Sequence, residues 1–116
     1  MSKLKQTDDA PITTVRQAIQ KISALHQAWN AIPWRERPPG EIRSGQVSVD
    51  VGGIQRGVKS CPHCGATTGM GLIVVRHDDG RGVGFDPALY HYAQAGHSIT
   101  QADVDGDVLL SIMADA

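Results

Sequence analysis

Cysteine occurs only twice in this chain of 116 residues, at Cys61 and Cys64, with just Pro62 and His63 between the two. Two thiolates at that spacing can close on one metal ion: proline sets the turn, and Gly65 supplies the positive φ that a tight turn needs. A stable site takes four ligands, so two more must come from His, Asp or Glu, or from a second copy of the chain. Elements distant in sequence must therefore converge on this short stretch.

The run Cys61-Pro62-His63-Cys64-Gly65 resembles the CPxCG knuckle shared by zinc ribbons and many other small zinc domains. That resemblance covers these five residues and implies zinc as the cofactor. Composition agrees with a need for reinforcement. Aromatic residues make up 4% and glycines number 13, so the core rests on aliphatic side chains and two Trp. One domain of this size has a thin core, and bound metal contributes folding free energy directly.

Residues 1–10 are polar and charged and read as a disordered tail, leaving 11–116 as a single zinc-stabilised domain. From Thr13 to Ile32 the apolar residues Val15, Ala18, Ile19, Ile22, Leu25, Trp29 and Ile32 recur at threes and fours, the stripe of an amphipathic helix. Thr14 and Gln17 have the spacing of a capping box, Pro33 ends the helix, and Arg16 and Gln20 face away from the stripe. His26 reads as a helix-edge residue. The Pro-rich segment 33–40 is a stiff connection in which Trp34 serves either as a lid on the core or, with Arg35 and Arg37, as a partner-binding surface.

Val47, Val49 and Val51 alternate with polar residues as a half-buried strand does, and Gly52-Gly53 predicts a hairpin before a second strand over 54–60. Residues 65–71 read as loose, Leu72 to Val75 as an interior strand, and Asp79-Gly80 as a tight turn into a strand over 81–85. A helix follows from Asp86 as N-cap and Pro87 to Ala95, with Gly96 just past its end. Ser98 and Gln101 then predict a last helix carrying Ile99, Leu109 and Ile112, which Gly106 threatens to divide. The expected fold class is α+β: a small antiparallel β-meander, an N-terminal amphipathic helix, two C-terminal helices, and the knuckle at one end of the sheet.

Four histidines share the half of the chain that holds the cysteines. His63, between them, is expected to point outward. His91 lies on a predicted helix and His97 just beyond Gly96, where a left-handed residue folds the chain back, so both rings can face the knuckle. The order of knuckle, hairpin and ligand pair near a helix resembles treble-clef fingers, with His91 and His97 matching the second pair by place and not by spacing. The expected metal ligands are Cys61, Cys64, His91 and His97; His77, separated from Cys64 by twelve residues, is the alternative to either histidine.

A redox use of the cysteine pair would want a helix beginning at Cys61 within a βαβ frame, and neither is indicated. Catalytic zinc needs an open position and a base; Asp78, Asp79 and Asp86 are candidates, but the HxE and HExxH patterns are missing. Asp103, Asp105 and Asp107 fail the spacing of a calcium loop.

Net charge is -1, yet residues 1–59 carry nine Lys and Arg against five Asp and Glu, and residues 60–116 carry two against seven. Opposite charges meeting within one fold is the plain consequence; a nucleic-acid contact through Arg35, Arg37, Arg43, Arg56 and Lys59, or a homodimer, is the alternative. A membrane span and a signal peptide are not indicated, so a cytoplasmic protein is expected. The function expected is a non-enzymatic zinc-stabilised binding or regulatory module with a protein partner, with nucleic-acid binding and zinc-dependent hydrolysis as alternatives.

Overall fold

Thr14 opens the first helix as the capping box requires. Its hydroxyl accepts the Gln17 backbone N–H at 3.1 Å and its own N–H donates to the Gln17 side chain at 3.1 Å. Helix α1 runs over Val15–Asn30 and buries Ala18, Ile19 and Ile22 completely, the first turns of the apolar stripe. Burying one such isoleucine contributes about 1.5–3 kcal/mol, so truncating Ile22 to Ala is among the costliest changes this helix could take. At its other end Arg37 folds back: its guanidinium donates to the Ile32 carbonyl at 2.9 Å and the Asn30 carbonyl at 3.0 Å, and lies 4.7 Å from the Trp29 ring centre. The computed structural model describes residues 14–37 and 41–115. The expected N-terminal tail, and Thr13 as a helix start, lie outside the described residues.

Four strands follow: β1 (Glu41–Ser44), β2 (Val47–Ser60), β3 (Thr67–His77) and β4 (Gly82–Phe85), hydrogen-bonded antiparallel in the order β1-β2-β3-β4. This is the expected meander, but three of its strands differ from the sequence expectation. Gly52-Gly53 does not turn the chain. The Asp50 carboxylate accepts the Gly52 N–H at 2.8 Å and the register to β3 slips between Asp50 and Gly53, so the pair forms an irregularity inside one long strand. The glycines instead allow close backbone approach, since a Cβ on Gly71 would stand 2.5 Å from the Gly53 carbonyl oxygen. The reversal falls earlier, at Gly45 with φ +60, and pairs β2 with the unexpected strand β1. Residues 67–71, expected to be loose, belong to β3. By contrast the Asp79-Gly80 turn stands where expected, with Gly80 N–H donating to the His77 carbonyl at 3.0 Å.

One sheet face is covered and the other is open. Ile42, Val47, Val49, Val51, Ile73, Val75 and Phe85 are buried with the apolar sides of the helices, whereas Asp50 and Arg76 pair across the uncovered face at 3.7 Å. Helix α2 (Ala88–Ala95) begins where the Asp86 carboxylate accepts the Ala88 N–H at 2.8 Å. Helix α3 occupies Gly106–Ala114, with Asp105 as N-cap accepting the Val108 N–H. The Ser98 capping box is therefore not used; residues 101–103 form a turn, and the Thr100 N–H and hydroxyl donate to Asp103 instead. Gly106 divides the expected helix for a packing reason: a Cβ there would stand 2.7 Å from Val15 of α1. Among the described residues no helix is long and apolar enough to cross a membrane.

Candidate metal centre

The knuckle is the connection between the two long central strands. Cys61 follows the last residue of β2, and its N–H donates to the Ala66 carbonyl at 2.7 Å, closing the hairpin. Gly65, with φ +76, donates to the Cys61 carbonyl at 2.8 Å, which completes the turn that the five-residue motif predicts. The His63 N–H points at Cys61 Sγ from 3.4 Å. Cys61 is buried at 2% exposure, while Cys64 is exposed. Burial works against the Cys61 thiolate, but the backbone N–H groups of His63 and Cys64, with the Cys64 thiol, outweigh it and hold the pKa below the ordinary thiol value.

Helix α2 brings the second pair. It buries Ala88, Leu89, Tyr92 and Ala93, which leaves His91 on the side of the knuckle with Nε2 at 3.3 Å from Cys64 Sγ. Gly96 stops the helix in the left-handed conformation, φ +81, and the His97 N–H donates back to the Tyr92 carbonyl at 3.0 Å. That six-to-one bond is the Schellman ending, and it returns the His97 ring to within 5.1 Å of the His91 ring. The five intervening residues are therefore a turn of helix plus its reversal, and both imidazoles reach the same point.

The four donor atoms of Cys61, Cys64, His91 and His97 lie within 4.8 Å of one another. Zn–S bonds of about 2.3 Å and Zn–N bonds of about 2.0–2.1 Å in a tetrahedron require donor separations of roughly 3.3–3.8 Å. The cluster lies within a small side-chain adjustment of that shape. His97 Nε2 fits a ligand's description in a second way: it is buried without a hydrogen-bond partner. Burial, then the nearby His63, His91 and Arg16, lower the His97 pKa, favouring the neutral ring that binds metal.

His77 is not part of this centre. It closes the opposite end of β3, ten residues from Thr67, or about 30 Å at the usual strand rise. Both its ring nitrogens are engaged there. Nδ1 accepts the Asp79 N–H at 3.1 Å, which makes Nε2 the donor to the Asp115 carbonyl at 3.0 Å. Asp78 and Asp79, the candidate bases, share that remote end, paired with Arg43 at 2.6 Å and Arg81 at 2.6 Å respectively.

Two residues matter at the site in ways the sequence did not signal. Arg16, expected to face away, reaches from α1 and donates to the carbonyls of Tyr92 at 3.0 Å, Ala93 at 3.1 Å and His97 at 2.7 Å. A guanidinium on the last carbonyls of a helix satisfies its orphan acceptors and opposes its dipole, so Arg16 fixes the end of α2 that carries both histidines. His63 is exposed as expected, yet its ring packs 4.8 Å from His97 and 5.1 Å from Tyr92. No pattern in the sequence distinguishes Arg16 from any other polar residue beside an apolar stripe.

Trp34 is 73% exposed, so it is not a lid on the core; Arg35 lies 5.4 Å from its ring centre. Of the basic residues considered for nucleic acid, Arg37 is occupied by α1, Arg43 by Asp78, and Lys59 by Asp86 at 2.9 Å. The two halves of the chain thus neutralise one another across the fold. No protein family, curated protein or solved structure matches this chain.

Proposed function

We propose that this protein is a zinc-stabilised binding module in which the metal is structural. The observation that carries the proposal is the convergence of two thiols and two imidazoles within 4.8 Å. Two sulfur and two nitrogen donors suit zinc, and four protein ligands would fill its coordination, leaving no position for a reacting water. Bound there, the metal ties the β2–β3 hairpin to α2. The binding role rests on the exposed Trp34 with Arg35 at its face, a pairing suited to a protein partner.

Cobalt substitution tests the closed site. The Co2+ protein is expected to show the intense visible bands of a four-coordinate S2N2 centre, unchanged by added azide. Weak six-coordinate bands, or a spectrum that azide alters, would replace the structural site with an open one and favour the hydrolase alternative.

A further inference from the structure

The two cysteines differ more than their shared motif suggests. Cys61 is buried, and the His63 N–H points at its sulfur from 3.4 Å. Cys64 is exposed, and its sulfur faces the His91 ring; among the described residues no backbone N–H reaches it. Hydrogen bonds to a thiolate draw off the charge that makes it nucleophilic, and burial denies access to an oxidant. Cys61 is shielded by burial and by a backbone N–H, whereas Cys64 is open to solvent with only the His91 ring beside it.

We propose that Cys64 is a site of oxidation by hydroperoxides and that Cys61 resolves it, so that the metal centre is a clasp opened by peroxide. The inference rests on the zinc-binding role proposed above. The Cys64 thiolate attacks the peroxide O–O bond, forming an S–O bond and releasing alkoxide, or hydroxide from hydrogen peroxide. The Cys61 thiolate then attacks the Cys64 sulfur, and the S–S bond forms as the sulfenic oxygen leaves as hydroxide, which protonates to water. Two electrons pass from the thiolates to the peroxide, and Zn2+ departs with its oxidation state unchanged.

The geometry permits the second step. The Gly65 N–H to Cys61 carbonyl bond holds the two cysteines across one turn, where Cα atoms three residues apart lie within about 7 Å, close to the range a disulfide spans. Once both sulfurs are joined, His91 and His97 alone remain as ligands. Two imidazoles do not hold zinc at micromolar concentration, so α2 loses its tie to the hairpin.

The test uses the zinc-loaded wild-type chain, so no variant has to fold. Limiting iodoacetamide followed by peptide mass spectrometry is expected to label Cys64 at least tenfold faster than Cys61. Hydrogen peroxide, with dimedone as trap, is expected to give the sulfenic adduct at Cys64. Without the trap it should give an intramolecular disulfide with about one zinc released per chain, restored by dithiothreitol and added zinc. Equal labelling, faster labelling of Cys61, or zinc retained under peroxide would overturn this inference and leave the structural site standing. A reduced chain that binds no zinc would overturn both.

Discussion

Histidine stands at both extremities of strand β3, one residue at the far end and a group at the knuckle, and the two ends differ in how their ring nitrogens are used. At the far end His77 has a partner for each nitrogen, a backbone N–H on one and a backbone carbonyl on the other, inside a network that continues through Asp79, Arg81 and Asp115. At the knuckle end His97 Nε2 is buried without a partner, and His91 Nε2 faces a sulfur. A satisfied histidine is structural, because its protons and lone pairs are already committed. A buried nitrogen left open beside thiols costs free energy unless something else binds it, and a metal ion is suited to do so.

The sharpest way to break this contrast is to substitute one residue at each end. Cys61→Ser is expected to lower zinc from about one per chain to near zero by elemental analysis. It should cost more than about 3 kcal/mol, since metal binding and folding are linked. His77→Ala should leave zinc at one per chain while costing about 2–3 kcal/mol in urea unfolding, because the Asp79 N–H and the Asp115 carbonyl lose their partner. Zinc loss in the His77 variant would erase the distinction between the two ends.

Arg16 sharpens the contrast by acting on the metal end from another element. Arg16→Ala removes two hydrogen bonds to the last turn of α2 and one to the His97 carbonyl, and is expected to cost about 1–2 kcal/mol. Zinc affinity measured against a competing chelator should fall severalfold, and Arg16→Lys should restore part of it. Unchanged affinity would show that the Schellman ending holds His97 without help.

The smallest effects are those of acid. His26, whose Nδ1 lies 3.1 Å from the Tyr90 hydroxyl between α1 and α2, has its pKa lowered by burial. The unfolded chain therefore takes up this proton first, and the contribution of neutral His26 is complete above about pH 6.5 and declines as pH falls below it. Asp79 behaves differently. The Arg81 side chain, hydrogen-bonded to it, holds its pKa down to about 2, so its contribution persists above about pH 4 and is lost between there and about pH 2. This pair is largely exposed, which keeps its effect small. NMR titration should show the His26 and Tyr90 resonances moving well before those of Asp79 and Arg81.

The amino-acid sequence by itself determined the elements whose causes are local. The stripe of α1, the Thr14 capping box, the Asp79-Gly80 turn, the left-handed Gly96 and the knuckle all follow from side chains acting on backbone within a few residues. The four candidate ligands were legible for the same reason, since a turn places Cys64 and a helix ending places His97. Where sequence and structure part, the deciding contact is distant. Gly52-Gly53 has the composition of a hairpin, but its role was set by the approach of Gly71 across the sheet. Gly106 had to be glycine because Val15 lies against it, 91 positions away in the chain. His77 stood as the alternative to His91 on paper, and the direction of β3 removes it, carrying it away from the knuckle while α2 returns His91 to it. Local chemistry thus chose the donors, and the packing of sheet against helices chose which of them meet.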